Sequence, residues 1–344
     1  MRIPVIVLSG FLGSGKTTLL LHMLKESRVR GLRPAVIMNE LGSKDVDSHI
    51  LSEISDATIE QMLDGCICCS RKSELAGSIR VLAKQNPDVI FIELTGVANP
   101  EEIADALTEP EVLGLVRLNQ TVTVLDAEHV LLYNSIFEAD LSLVRTLRRQ
   151  IETADLILVN KSDLVPAMKL KKIDKAISKQ NNKAVVIQTT YSQIDQNLVL
   201  STISRQEHQV SPVAHPFRMV KAVPMASGKR SESMEIPSDN ETLSFTRIQT
   251  MTLTLSPNTV PTRKQIERII SKFKGDLLRA KGYIRLKEVD DKASLMQYAG
   301  KRITWADSDY PGDPYIVFIG IDINEQKVQE EWERIIMHPI LTSG

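Results

Sequence analysis

Residues 10–17, Gly-Phe-Leu-Gly-Ser-Gly-Lys-Thr, have the types and spacing of a phosphate-binding loop, G-x-x-x-x-G-K-[ST]. The short apolar run 3–9 precedes them and a helix-forming run follows, so loop N–H groups and the positive end of a helix dipole would surround the same anion. We expect Lys16 to reach the β- and γ-phosphates of a nucleotide, and the Thr17 hydroxyl to bind its Mg²⁺. A chance glycine-rich turn is the alternative, which the strand before and the helix after disfavour. The predicted nucleotide contacts in this loop are Gly10, Gly13, Ser14, Gly15, Lys16, Thr17 and Thr18.

Asn160-Lys161-Ser162-Asp163 follows the apolar run 155–159 and has the N-K-x-D spacing of a guanine-recognition loop. The Asp163 carboxylate can accept hydrogen bonds from N1–H and the exocyclic amine of guanine, a donor pair that adenine lacks. The Asn160 amide can serve the O6/N7 edge, and the Lys161 stem can lie along the base. The pattern alone is weak, since surface loops often carry such residues, but downstream of a phosphate loop it predicts GTP as the nucleotide.

Two further loops follow strand-like runs. The run 88–92 is followed directly by Glu93, which we expect to hold Mg²⁺ through a water. The nearby Gly96 N–H could sense the γ-phosphate. An N-cap or a surface carboxylate is the alternative for Glu93, but the run before it is mostly apolar. Asp47 lies in a predicted switch loop and is the candidate for magnesium contact or for orienting the attacking water, with an exposed acidic loop as the alternative. The predicted catalytic residues are Lys16, Thr17, Asp47 and Glu93.

All three cysteines of the chain, Cys66, Cys68 and Cys69, lie in one block of four residues. Three thiols at this spacing indicate a soft-metal site. Zn²⁺ usually takes four ligands, so three local thiolates leave one position for another group, for water or for a receiving protein. Three ordinary reduced cysteines in a loop, or a redox site, are the alternatives. The clustering leaves no disulfide framework of the kind that secreted domains carry.

The first 200 residues alternate short apolar runs with amphipathic stretches, which predicts an α/β domain of the P-loop NTPase class with a mostly parallel sheet. Because parallel sheets bind ligands at the carboxyl ends of their strands, the loops named above should form one site. Strands are predicted at 3–9, 34–39, 58–63, 88–94, 120–126, 155–160 and 184–189. Helices are predicted at 16–27, 72–85, 99–107, 139–152, 167–179 and 195–204.

The pattern changes after about residue 205. The polar, turn-rich stretch 224–242 is expected to be a flexible connection. An alternating strand at 245–255, a helix at 263–274 and a final helix at 325–336 then predict a small α+β domain with an antiparallel sheet. Its other strands are predicted at 282–288, 294–299, 302–306 and 315–321. The predicted domains are a GTPase domain (1–204), a linker (205–242) and a C-terminal domain (243–344).

The chain has 344 residues, of which 42% are hydrophobic and 25% charged, and a net charge of −1. This near-neutral balance gives no whole-molecule field that would draw the chain to nucleic acid or to a membrane. No apolar run approaches the ~20 residues that cross a bilayer, and the N-terminal apolar run is too short for a signal peptide. A cytoplasmic location without nucleic-acid or membrane partners is therefore expected, and a homo-oligomer is left open.

Together these blocks resemble the CobW family of P-loop GTPases, whose relatives include the urease and hydrogenase nickel-insertion GTPases. The resemblance implies GTP hydrolysis coupled to the handling of zinc, or of a neighbouring divalent metal, for delivery to a client metalloprotein. It extends into the second domain at 278–282 and 317–320. In the first domain it is carried by the phosphate loop, Asn39-Glu40-x-Gly42, Gly65-Cys-Ile-Cys-Cys69, Glu93-x-Thr95-Gly96 and Asn160-Lys-Ser-Asp163.

The chain departs from the family pattern in the predicted switch. The family usually has Asn-Glu-Phe-Gly-Glu there, often with another carboxylate just before the Asn, whereas this chain has Met38, Leu41 and Ser43. Two potential metal-binding carboxylates are therefore absent, and Glu40 and Asp64 remain as supplementary ligands. The predicted metal ligands are Cys66, Cys68, Cys69 and Glu40.

Three classes of function compete. The leading one is a GTP-hydrolysing metallochaperone that uses GTP, Mg²⁺ and Zn²⁺. A non-catalytic zinc sensor or buffer that holds GTP as a structural ligand fits the same residues, because slow hydrolysis and none leave the same sequence. A small-molecule kinase would also have a phosphate loop, but the guanine-recognition loop and the cysteine block argue against it.

Overall fold

The computed structural model describes most of both predicted domains. The predicted linker 205–242 lies outside the described residues except for its first residue, so its flexibility stays a prediction. The described residues are 2–38, 58–61, 70–96, 98–135, 139–205, 247–256, 259–289, 292–299 and 301–337.

The described residues form strands and helices in nearly the predicted order. The strands are β1 (Ile3–Ser9), β2 (Pro34–Met38), β3 (Thr58–Gln61), β4 (Val89–Glu93), β5 (Val116–Asp126), β6 (Leu156–Asn160), β7 (Val185–Gln188), β8 (Ile248–Thr254), β9 (Leu277–Arg285), β10 (Ala293–Ala299), β11 (Arg302–Ser308) and β12 (Tyr315–Ile321). The α-helices are α1 (Lys16–Val29), α2 (Ser70–Ala83), α3 (Pro100–Ala106), α4 (Val130–Tyr133), α5 (Leu141–Thr153), α6 (Ala167–Gln180), α7 (Asn197–Leu200), α8 (Arg263–Lys272) and α9 (Glu325–Trp332). A short 3₁₀ helix spans Ser162–Leu164, and a π-helix follows α9 at Glu333–Met337. Within the described ranges, none of the helices has the length and apolar composition that crossing a bilayer requires.

The strands of the first domain form one all-parallel sheet in the order β3-β2-β4-β1-β5-β6-β7, which confirms the predicted α/β class. The central strand β1 is buried along its whole length. One of its faces packs Val5 and Val7 with α2 and α3, and the other packs Ile6 and Leu8 with α1. The register pairs Leu8 with Glu93 of β4, so the ends of these two strands meet at the same edge of the sheet.

The second domain is built on an antiparallel sheet in the order β11-β10-β9-β12-β8, as predicted. Its strand β12 is buried on both faces. Ile316 and Phe318 pack on α8 and α9 of their own domain. Tyr315, Val317 and Ile319 join the core cluster that also contains β1, β4, α2 and α3. One apolar cluster therefore spans both domains, while a separate cluster lies on the other face of β12.

Three predicted elements have clearly different bounds in the structure. The predicted helix 195–204 is reduced to the single turn α7, because Asp195 Oδ1 accepts the Asn197 N–H at 2.9 Å and a turn at Leu200–Ile203 ends it. The predicted strand 282–288 is instead β9, which begins five residues earlier at Leu277. The strand 120–126 is likewise longer than predicted, since β5 begins at Val116.

Candidate functional site

The phosphate loop leaves the carboxyl end of β1 and enters α1 at Lys16. Gly10 and Gly15 have φ angles of 129° and 110°, which L side chains rarely adopt. A Cβ on Gly15 would also overlap the side-chain nitrogen of Asn160 and would lie 2.7 Å from Ser192 Oγ. The loop therefore closes against the segments that follow β6 and β7, and it can do so only with glycine at this position.

The remaining loop residues predicted to contact nucleotide lie around the same turn. Gly13 is exposed and has a φ of 76°. Ser14 is buried, and Thr18 is half-buried in the first turn of α1. Backbone N–H groups of the first helical turn have no intrahelical acceptor, so this end of α1 is suited to binding an anion.

Lys16 and Thr17 end the phosphate loop, and Glu93 of β4 contacts Thr17. The buried Lys16 ammonium donates to Phe11 O at 3.1 Å across the loop, and the Thr17 hydroxyl donates to Glu93 Oε1 at 2.8 Å. Glu93 reaches this position because it is the last residue of β4, the strand next to β1. A hydroxyl and a carboxylate are the hard oxygen ligands that Mg²⁺ takes, so this donor set fits the ion.

The loop after β4 packs directly on the phosphate loop. A Cβ on Gly96 would lie 2.7 Å from Leu12 N and 3.3 Å from Phe11 Cα. Only glycine allows this approach, because a larger residue would push the two loops apart. The contact brings the Gly96 backbone beside the predicted phosphate site.

Asn160, the last residue of β6, links the phosphate loop to the segment that follows β7. Its Nδ2 donates to Ser14 O at 2.8 Å, and its Oδ1 accepts the Ser192 N–H at 2.9 Å. The Ser192 hydroxyl in turn donates to Gly15 O at 3.0 Å. The buried amide thus has a positioning task that the sequence did not predict, and its role at the O6/N7 edge stays a prediction.

Lys161 is held by an ion pair with Asp126 at the end of β5. Its φ of 59° is left-handed, and its Nζ lies 2.6 Å from Asp126 Oδ2. Burial raises the pKa of Asp126, but hydrogen bonds from Lys161, from the Glu128 N–H and from His129 outweigh it and hold this pKa below its usual value. Asp126, Glu128 and His129 also place three potential metal-ligand atoms within 4.8 Å of one another. The positive charge of Lys161, which is paired with Asp126, would repel a metal ion bound to these three residues.

Asp163 lies in the 3₁₀ helix after β6, where it is exposed and accepts a hydrogen bond from Thr190 Oγ1 at 3.0 Å. Thr190 and Ser192 both belong to the segment that follows β7. Sequence reasoning did not select either residue. The signal was present, since this polar segment follows a predicted strand just as the other site loops do.

Family models of known proteins match this chain over most of its length. A family model described as "CobW/HypB/UreG, nucleotide-binding domain" matches residues 4–188, more than half of the chain. The chain belongs to this CobW family. A second model, "Cobalamin synthesis protein cobW C-terminal domain", matches residues 250–336.

Relatives of this CobW-family chain carry names that refer to zinc. It is 29% identical over 341 residues to "Zinc chaperone YjiA" of Escherichia coli, covering 95% of this chain and 96% of the relative. It is 33% identical over 233 residues to "Zinc-regulated GTPase metalloprotein activator 1" of Dictyostelium discoideum, covering 58% of this chain and 48% of the relative. The chain thus spans about half the length of the latter relative. The crystal structure of Zn(II)-bound YjiA GTPase from E. coli aligns over 97% of this chain and 99% of that one, with 21% identity and a TM-score of 0.45.

Several predicted site residues of this CobW-family chain lie outside the described residues. These are the switch residue Asp47 and the predicted metal ligands Glu40, Cys66, Cys68 and Cys69. The described neighbours of these segments are β2, which ends at Met38, and β3, which ends at Gln61. The catalytic assignment of Asp47 and the metal site stay predictions.

Proposed function

We propose that this CobW-family chain binds GTP with Mg²⁺, hydrolyses it to GDP and phosphate, and couples its nucleotide state to the binding of zinc and the transfer of zinc to a client metalloprotein. Another divalent metal could take the place of zinc. One observation carries the proposal: the Asn160 amide ties the guanine-recognition loop to Ser14 of the phosphate loop. A phosphate-binding loop and a guanine-recognition loop in direct contact support one guanine nucleotide spanning both.

Lys16, Thr17 and Glu93 would carry the phosphate chemistry. An ammonium has three N–H donors, so Lys16 can keep its bond to Phe11 O and still donate to phosphate oxygens. Thr17 and Glu93 would hold Mg²⁺, Glu93 through a water, and bound Mg²⁺ neutralises charge on the β- and γ-phosphates. Asp47 is proposed to contact the magnesium ion or to orient the water that attacks the γ-phosphorus.

The guanine base would lie between Lys161 and Asp163. The Asp126 carboxylate fixes the Lys161 side chain, and Thr190 fixes one oxygen of Asp163. Asp163 would then accept from N1–H and the exocyclic amine, which rejects adenine because adenine would leave the carboxylate without donors.

Cys66, Cys68 and Cys69, with Glu40 as a supplementary ligand, are proposed to hold the metal as cargo. Support comes from the thiolate chemistry of the block and from the zinc-related names of two relatives, one of them aligned over nearly the whole chain. Because carboxylates are absent at Met38 and Ser43, thiolates should dominate the site.

GTP turnover by the reduced protein tests the nucleotide part of the proposal. We expect hydrolysis of GTP and not of ATP in the presence of Mg²⁺. The rate should fall by about 10²–10³ in Lys16→Ala, because one preorganised donor to the transition state is lost. Lys172→Ala, which removes an exposed lysine on α6, is the matched control and should keep the wild-type rate. Equal binding of ATP would contradict the assignment of the base site, and GTP binding without turnover would favour a non-catalytic zinc sensor or buffer.

A zinc titration against a competing chelator tests the coupling. It is made in the apo, GDP and non-hydrolysable-GTP states, and repeated on a variant carrying Cys66→Ser, Cys68→Ser and Cys69→Ser. Zinc affinity should differ between nucleotide states by a factor of about 5–150, and zinc should change GTP affinity by the same factor. Equal zinc affinity in all states would remove the coupling, and unchanged binding in the triple variant would remove the site.

A further inference from the structure

Gln150 is a fully buried residue of α5 whose side chain holds the loop after β4. Its Nε2 donates to Gly96 O and to Ala98 O, each at 3.1 Å. A primary amide has two N–H groups, so both are committed to this loop. One side chain therefore fixes the loop backbone at the point where Gly96 packs on the phosphate loop.

The backbone of Gln150 is connected to the phosphate loop by a second route. Its carbonyl oxygen accepts from Thr123 Oγ1 at 2.9 Å, and that hydroxyl lies 2.7 Å from Ser9 Oγ. Because the Thr123 proton goes to Gln150, Ser9 must be the donor to Thr123. Ser9 immediately precedes Gly10, and all three side chains of this chain of bonds are fully buried. The start of the phosphate loop and the Gly96 loop are thus joined through Gln150.

We infer that Gln150 is a positioning residue for γ-phosphate recognition, holding the loop after β4 so that the Gly96 N–H meets the γ-phosphate. The inference rests on the proposed GTPase function. GDP has no γ-phosphate, so loss of Gln150 should weaken binding of GTP selectively. A merely structural role would weaken the binding of both nucleotides alike.

The test compares Gln150→Leu with the matched control Asn181→Leu. Asn181 is also buried, and its amide also donates to backbone carbonyls at the end of α5, to Ile151 O at 2.7 Å and Ala154 O at 2.9 Å. Affinities for GDP and for a non-hydrolysable GTP analogue are measured with Mg²⁺, together with kcat, KM and the thermal unfolding midpoint. Gln150→Leu should lower the ratio of GTP-analogue to GDP affinity about tenfold and lower kcat, with GDP affinity within about twofold. Asn181→Leu should lower the unfolding midpoint and leave the ratio unchanged.

Each outcome is decisive for the inference. An unchanged ratio in Gln150→Leu, or an equal fall in Asn181→Leu, would overturn it. If Gln150→Leu does not fold, Gln150→Asn keeps the amide on a side chain one methylene shorter, and the same ratio decides. Wild-type protein that binds no GTP would instead refute the proposed function, and this result is separable because it appears before any substitution is made.

Discussion

Single residues set the shape of the nucleotide site through close backbone approach. Asn160 serves as the clearest case, since its amide bonds Ser14 O on one side and the Ser192 N–H on the other. Gly15 makes room for that amide, because no Cβ stands between the loop and Asn160. The shape of the site therefore depends on the absence of a Cβ at Gly15 as well as on its charged side chains.

Gly15→Ala should abolish nucleotide binding. The φ of 110° is strained for alanine, and the added methyl would displace the Asn160 amide. Gly77→Ala in α2 is the matched control, since a Cβ there meets nothing within 4 Å and helical alanine is favoured by about 0.5–1 kcal/mol over glycine. Fluorescence titration with a labelled guanine nucleotide measures both. Wild-type affinity in Gly15→Ala would show that the loop relaxes without loss.

At the scale of elements, α3 connects the loop after β4 to the second domain. Asp105 accepts from Arg279 Nη1 of β9 at 2.8 Å, and Glu109, just beyond the helix, pairs with Lys281 at 2.6 Å. Burial raises the pKa of Glu101 in the first turn, even though Arg149 and Arg279 act to lower it. The Glu101 carboxylate is therefore costly to bury and depends on these cations.

Arg279→Met should destabilise the protein by about 3–5 kcal/mol, because it removes the cation beside a buried carboxylate. Arg80→Met is the control: its pair with Glu111 is exposed on both sides, and such pairs contribute about 0–1 kcal/mol. Urea unfolding measures both free energies. An equal loss of unfolding free energy in the two variants would contradict the prediction that breaking the buried Asp105–Arg279 pair is more destabilising than breaking the exposed one. The double variant Asp105→Leu/Arg279→Met should recover most of the lost stability, because no unpaired carboxylate is then left buried.

The β9 strand shows where sequence reasoning reached its limit. The patterns of the buried strands predicted the parallel sheet, the antiparallel sheet and the loops at their ends, because each alternation is visible locally. The start of β9 was missed because Arg279 and Lys281 interrupt its apolar pattern, and their acidic partners lie about 170 residues earlier, in the other domain. Gln150 was missed because its side chain bonds Gly96 O and Ala98 O, backbone atoms that only the fold brings near.

On the scale of the whole molecule, the two domains are joined by apolar packing and by charge. Asp322 of the second domain pairs with Lys183 Nζ of the first at 3.0 Å and with Arg247 Nη2 at 2.9 Å. Arg247 also donates to Glu152 O in α5 at 2.7 Å. Burial raises the pKa of Asp322, but the hydrogen bonds and charges of Arg247 and Lys183 lower this pKa by more. The net pKa of Asp322 therefore lies below its ordinary value of 3.8.

A folded-state pKa below the unfolded value means that Asp322 stabilises the protein above the unfolded pKa, and that this contribution is lost as pH falls through the folded value. Asp322→Asn should therefore be less stable at pH 7, by on the order of 1 kcal/mol, with the difference vanishing in acid. Asp309→Asn, whose side chain is almost fully exposed, is the control. Chemical denaturation across pH 2–7 measures both. A pH-independent difference for Asp322→Asn would contradict the ion-pair explanation.

The central place of β1 has a consequence for synthesis. It is made before its sheet neighbours β4 and β5, which begin only at Val89 and Val116. A ribosome adding ~5–20 residues per second needs on the order of 5–20 s to make that stretch, during which a strand apolar on both faces has no partner. The bonds that Ser192 makes to Asn160 and Gly15 also cannot form before Ser192 emerges, so the predicted nucleotide site is completed only when the first domain is nearly whole. Products that stop short of β5 should aggregate or bind chaperones, and nucleotide cannot rescue them.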